Sequence, residues 1–133
     1  MTKILIYSDG ASRGNPGPAG AGAVLIGEDG GILATEYQYL GTATNNLAEY
    51  SGAILGLQKA IELGATQVTL RADSELLIKQ LKGQYKVKNE GLKPLYQQAL
   101  SLLKNFKGVV LEHVPREANK LADRAANQAI DNR

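Results

Sequence analysis

Residues 3–17, KILIYSDGASRGNPG, join an apolar strand to a carboxylate and then to a turn rich in Gly, Asn and Pro. At a period of two, Lys3, Leu5, Tyr7 and Asp9 share one side of the strand, and Ile4, Ile6 and Ser8 share the other. Asp9 is thereby expected at the strand's carboxyl end, where open α/β sheets place their binding sites. Asp-Gly is also a common turn signal, so on this stretch alone Asp9 reads equally well as a turn former. The other acids of the chain decide between the two.

Downstream, residues 21–26 (AGAVLI) read as a second strand, residues 27–31 (GEDGG) as a hairpin turn, and residues 32–40 (ILATEYQYL) as a returning strand. The first three strands make an antiparallel meander. The glycines at 10, 14, 17, 20 and 22 match neither of the two nucleotide-cradling patterns, G-x-x-x-x-G-K-[ST] and G-x-G-x-x-G. Thr44 or Asn45 can cap the next helix, which Gly64 stops. Leu47, Tyr50, Ile54, Leu57 and Ile61 form its apolar face. Glu49, Ala53, Gly56 and Ala60 form a second stripe whose small side chains let the helix approach a sheet closely. That stripe carries Glu49 toward the sheet, although an acid in a first turn also serves the helix dipole.

Residues 67–72 (QVTLRA) form a fourth strand ending at Asp73 and Ser74, with a short helix to about residue 81. The intervening helix allows this strand to run parallel to the first with a right-handed crossover. Asp73 then repeats the placement of Asp9, about 4.8 Å away on a neighbouring strand, or simply caps the following helix. Residues 83–91 are a polar basic connection, and Leu92, Leu95, Tyr96, Ala99, Leu102, Leu103 and Phe106 give a helical core face. Residues 109–114 form a fifth strand and 117–130 a last helix, on which Asn119, Asp123 and Ala126 fall together. The expected architecture is α/β: one domain over residues 1–133, with a five-stranded mixed sheet. Strands 1-2-3 are antiparallel, strands 4 and 5 run parallel to strand 1, and helices flank both faces.

The bulk properties fit such a domain. At 133 residues the chain can bury about two-thirds of its unfolded surface. It has no Cys, which excludes a disulfide framework, a thiolate nucleophile and a Cys-based zinc site. No apolar run approaches the roughly 20 residues of a membrane span, and residues 1–7 are too short for a secretory signal. A soluble, cytoplasmic protein is expected. The formal charge is only +2, but Lys79, Lys82, Lys86, Lys88 and Lys93 gather within a short stretch around Tyr85. That stretch is either a solvated face or a phosphate-contacting patch.

If the inferred strand order holds, Asp9, Glu49, Asp73 and Asp123 converge on one sheet edge. Four acids packed together repel one another and lose hydration unless cations bind among them. Oxygen-only ligands suit Mg²⁺ or Mn²⁺ rather than zinc or copper, and two such ions can activate water and stabilise a leaving oxygen in phosphodiester cleavage.

The motifs then carry a resemblance. Tyr7-Ser8-Asp9-Gly10 with Gly14-Asn15-Pro16-Gly17-Pro18, Thr44-Asn45-Asn46-Leu47-Ala48-Glu49, Ala72-Asp73-Ser74 and the NKLAD run from Asn119 to Asp123, in this order, resemble type 1 ribonuclease H over nearly the whole chain. The resemblance implies a ribonuclease H-like fold and four metal-binding catalytic acids, Asp9, Glu49, Asp73 and Asp123, holding two Mg²⁺ or Mn²⁺ ions. It also implies hydrolysis of the RNA strand of RNA–DNA hybrids to 5′-phosphate and 3′-hydroxyl ends. Gly10, Asn15, Asn45 and Asn46 would contact substrate, including RNA 2′-hydroxyls, and Thr44 and Asn89 resemble a pocket for a DNA-strand phosphate.

Two departures point to a compact subgroup. No long basic protrusion separates the helices at 74–81 and 92–106, so hybrid binding would rely on Lys82, Lys86 and Lys88. No catalytic-His loop precedes the last helix: His113, the only His, reads as structural, and Arg116 is the nearest group to touch phosphate. The expected protein is a monomer without an obligatory protein partner or membrane, and some compact relatives also cut double-stranded RNA. A nucleic-acid-binding module without catalysis is the rival, disfavoured because a pure binder of polyanions would gain by losing the four acids.

Overall fold

The computed structural model describes residues 2–133; Met1, the first residue of the stretch weighed against a secretory signal, lies outside them. In chain order the elements are β1 (Lys3–Ser12), β2 (Gly17–Ile26), β3 (Ile32–Ala43), α1 (Asn45–Glu62), β4 (Gln67–Ala72), α2 (Glu75–Leu81), α3 (Lys93–Leu103), β5 (Gly108–His113) and α4 (Lys120–Asp131). A single 3-10 turn, Arg116–Ala118, leads into α4.

The strands form one sheet in the order β3-β2-β1-β4-β5. β1, β2 and β3 are antiparallel neighbours, and β1, β4 and β5 run parallel, as the residue pattern predicts. Alternation sets the register. Ile4 and Ile6 on β1 sit beside Val68 and Leu70 on β4, all at most 2% exposed and packed under α1, α2 and α3. A one-residue slip would turn these side chains out of the core at about 1.5–3 kcal/mol each.

The other face of β1 and β2 is covered by α4. Its Ala122, Ala125, Ala126 and Ala129 are buried against small residues of β2. A Cβ on Gly22 would lie 2.5 Å from the Ala126 backbone nitrogen, so only glycine permits this approach. The small residues of β2 thus reflect helices pressing on both faces.

The element ends differ from the sequence pattern in an informative way. The pattern ends β1 near Asp9 and starts β2 at residue 21. Instead β1 runs to Ser12 and β2 starts at Gly17, with Ala11 opposite Gly20 and Ser12 opposite Ala19. The reversal falls after Ser12, where the Arg13 amide donates to the Pro18 carbonyl at 2.8 Å. Glycines that look like turn formers are strand residues that make room for helices. α4 begins later than the pattern places it, because residues 116–118 wind as the 3-10 turn. In α3 only Ala99 is fully buried; its remaining apolar residues are half-buried against the core, between buried Leu92 and Phe106.

Candidate active site

β1 pairs with β4 only as far as Ser8, opposite Ala72. Asp9 and Asp73 are each one residue beyond that last pair, so both acids stand where the parallel sheet opens. The alternative use of Asp73 as a helix cap does not occur: Ser74 caps α2, its hydroxyl accepting from the Leu77 amide at 3.2 Å. The Asp73 carboxylate is left for the site.

Glu49 arrives from α1, capped by Thr44, whose hydroxyl accepts from the Leu47 amide at 3.2 Å. The helix lies almost on the β1 backbone. A Cβ on Gly10 would meet the Ala48 carbonyl carbon at 2.1 Å, and one on Gly52 would meet the Asp9 carbonyl oxygen at 2.3 Å. The closest approach therefore runs through Ala48, Gly52 and Gly56; Gly56 belongs to the stripe read in sequence, whereas Ala48 and Gly52 lie outside it. As a result carboxylate oxygens of Asp9, Glu49 and Asp73 all lie within 4.8 Å of one another. Asp123, in the first turn of α4, reaches the same cavity from the opposite face of the sheet but stands outside this tight trio.

Burial makes the arrangement costly. Asp9 is only 4% exposed. Loss of hydration raises its pKa from 3.8 to about 7, with Asp73 and Asp123 adding to the rise, while hydrogen bonds from Glu49 and the Gly10 amide (2.9 Å) oppose it. Glu49 is pushed from 4.5 to about 10, chiefly by burial and then by the negative charges of Asp9 and Asp73. Glu49 Oε2 is buried with no hydrogen-bond partner. A buried oxygen without a donor, inside an all-carboxylate set, fits a hard divalent cation.

The acids occupy a cavity of about 500 Å³ whose lining also includes Gly10, Asn45, Asn46 and Arg116. The other substrate candidates, Asn15, Thr44, Asn89 and Lys88, are not among its lining residues. Asn15 Oδ1 accepts from the Asn45 amide at 3.1 Å, bracing the start of α1 against the β1–β2 turn. Asn89 folds on itself, its Oδ1 accepting from the Gly91 amide at 2.8 Å. Lys88 is exposed on the segment between α2 and α3, as are Lys82 and Lys86. His113 is not among the residues lining the cavity; its nearest charged neighbour is Glu75 at 4.0 Å.

Sequence reasoning missed the part played by Asn119. It is 1% exposed, and its Nδ2 donates to the Ser8 carbonyl at 2.9 Å, fastening the start of α4 to β1 beside Asp9. The signal was present: Asn119 precedes Asp123 by one helical turn in the NKLAD run. Ser74, of the Ala72-Asp73-Ser74 motif, also lines the cavity, as do Arg13 and Asn127, which belong to no motif read in the sequence.

Comparison with known proteins gives this geometry its context. A family model described as reverse transcriptase-like matches residues 7–129. Ribonuclease HI of Halobacterium salinarum is 44% identical over 97% of this chain and 65% of its own length, and its crystal structure superposes with a TM-score of 0.95 over 98% and 99% of the two chains. The chain belongs to the ribonuclease H family. A bifunctional protein of Mycobacterium tuberculosis is 49% identical over 97% of this chain, which spans only 36% of that protein's length. That protein's solved N-terminal RNase H domain matches this chain at a TM-score of 0.95, covering 98% of this chain and 100% of the domain. A ribonuclease H1 solved in complex with an RNA/DNA hybrid is 40% identical with a TM-score of 0.91, over 97% of both chains. Residues 82–92 alone connect α2 to α3, and one 3-10 turn leads from β5 toward α4.

Proposed function

We propose that this protein is an endonuclease that hydrolyses the RNA strand of RNA–DNA hybrids. The observation that carries the reading is the trio Asp9, Glu49 and Asp73, with oxygens within 4.8 Å, in a cavity edged by Asn45 and Asn46. The hybrid bound by the related ribonuclease H1 supports the substrate class.

Asp9, Glu49 and Asp73, with Asp123, would hold two Mg²⁺ ions, or Mn²⁺ in their place. Such ions, when bound, supply Lewis acidity toward the phosphate and lower the pKa of an attacking water. In the overall reaction the water oxygen bonds to phosphorus and the bond from phosphorus to the 3′ oxygen breaks, leaving 5′-phosphate and 3′-hydroxyl ends. The protein's own part is placement. Asp9 sits between acids delivered from helices on opposite faces of the sheet. Gly10 on β1, Asn15 on the β1–β2 turn, and Asn45 and Asn46 in the first turn of α1 offer backbone and amide groups to 2′-hydroxyls.

Thr44 and Asn89 receive a DNA-strand phosphate, and Arg116 at the cavity wall contacts the RNA backbone. Lys82, Lys86 and Lys88 add long-range attraction for a polyanion. All the acids come from one chain, which supports a monomer, and no helix among the described residues is long and apolar enough to cross a membrane. We place its work in the cytoplasm.

Strand-labelled hybrid, RNA duplex and DNA duplex, each incubated with Mg²⁺ or Mn²⁺, test the proposal. RNA-strand cleavage of the hybrid by the wild type, abolished in a folded Asp9→Asn variant, is the expected result. Full activity in that variant would remove the assignment, and cleavage of the RNA duplex would widen the substrate range.

A further inference from the structure

We propose that Asn127 is a positioning residue for Asp123, held in that role by Arg13. The inference rests on the hybrid-cleaving reading above, in which Asp123 is one of the working acids. Asp123, Asn127 and Asp131 follow at four-residue spacing along α4 and share one face of it. Asn127 Nδ2 donates to Asp123 Oδ1 at 3.3 Å and to the Asp123 carbonyl at 3.0 Å. From the β1–β2 turn, Arg13 Nη2 donates to Asn127 Oδ1 at 3.3 Å, while Arg13 Nη1 pairs with Asp131 Oδ1 at 2.7 Å.

The direction of this relay follows from the groups themselves. A guanidinium can only donate and an ionised carboxylate can only accept. The Asn127 amide must therefore turn its oxygen to Arg13 and its NH₂ to Asp123; the opposite flip would oppose donor to donor and acceptor to acceptor. Asp131, at the far end, is drawn below the usual carboxylate range by its hydrogen bond from Arg13, and so anchors the guanidinium. An exposed ion pair of this kind adds little stability. Its use is orientational: Asp123 lies outside the tight trio, on the helix of the opposite face; packing on β2 fixes the α4 backbone, while the hydrogen bond from Asn127 bears on the carboxylate itself. Arg13, Asn127 and Asp123 all line the cavity. The turn after β1 thereby gains a second task, since it carries Arg13 over α4.

Groups that orient a metal-binding side chain are worth about 10–100-fold in activity or metal affinity. Asn127→Leu keeps the branched heavy-atom shape and removes the donor. It should lower kcat for hybrid cleavage about tenfold with KM within about twofold, and Arg13→Gln should lower kcat in the same sense by less. The decisive measurement is a double-mutant cycle: Asn127→Leu combined with Asp123→Asn should be no slower than Asp123→Asn alone.

Calorimetric titration of Mn²⁺ without substrate gives a second readout. Asn127→Leu should weaken Mn²⁺ binding toward the Asp123→Asn value, with a melting temperature close to wild type. Losses that multiply in the cycle, or wild-type kcat and Mn²⁺ affinity in Asn127→Leu, would overturn the proposal. If the wild type cleaves no hybrid, the functional reading fails. The Mn²⁺ titration then decides the relay alone, affinity matching Asp123→Asn supporting it and wild-type affinity overturning it.

Discussion

Replacing Glu49 with Gln should stabilise the metal-free protein while abolishing hybrid cleavage. In the folded chain Glu49 keeps its proton until about pH 10, whereas its ordinary pKa is 4.5. The unfolded chain therefore releases that proton several pH units earlier. Where the folded state holds more protons than the unfolded state, stability falls as pH rises. The loss begins near the unfolded value and continues toward the folded one.

At pH 8 the unfolded state has gained about 3.5 pH units of ionisation at 1.36 kcal/mol each, close to 5 kcal/mol as an upper bound. Water entering the open cavity screens part of this, leaving an expected gain of about 3 kcal/mol for a Gln that never ionises, or about 10 °C in melting temperature. The Gln Nε2 can also donate to Asp9 as protonated Glu49 does. Thermal unfolding by circular dichroism in EDTA, at pH 5 and pH 8, checks the prediction. The gain should be clear at pH 8 and should shrink to under about 1 kcal/mol at pH 5. No gain at pH 8, or the same gain at both values, would refute the reasoning.

The other predictions use the same assays. Mg²⁺ should raise the wild-type melting temperature more at pH 8 than at pH 5, because the ion competes with protons on Asp9 and Glu49; equal shifts would count against a shared carboxylate site. Gly10→Ala places a methyl 2.1 Å from the Ala48 carbonyl carbon, so it should cost about 3 kcal/mol or more and uncouple Glu49 from Asp9, seen as lost cleavage. Gly30→Ala, at φ +86° with open space around it, should cost only about 1 kcal/mol and leave cleavage intact. Tyr50→Phe leaves buried Gln80 Oε1 without its 2.7 Å hydroxyl donor and should cost about 1–3 kcal/mol in denaturant unfolding, part of it recovered when Gln80 is also changed to Leu.

Much of the fold was legible because local rules and global packing agree. Period-two alternation in β1 and β4, the Thr44 cap, the stop at Gly64 and a helix between β1 and β4 are enough to order the elements and make the strands parallel. The acids were legible as a set once two of them fell at parallel strand ends. The extent of β1 and β2 was not, because glycine has two meanings. A turn needs it for its backbone freedom, a packed sheet for its missing Cβ, and residues 10, 20 and 22 are of the second kind, each placed against a helix backbone.

By itself, the sequence determined the type and order of the elements, the four-acid inventory and the absence of cysteine thiolates. Only the tertiary structure decided which acids are close neighbours. Contact distances depend on helix-to-sheet approach, set by pairs of residues far apart in the chain: Gly10 against Ala48, Gly52 against Asp9, Asn119 against Ser8. The pKa values follow from that approach, since burial is a property of the packed molecule. For the same reason Asp73 is left to the site while Ser74 caps α2, and Arg13 and Asn127 meet although 114 positions separate them.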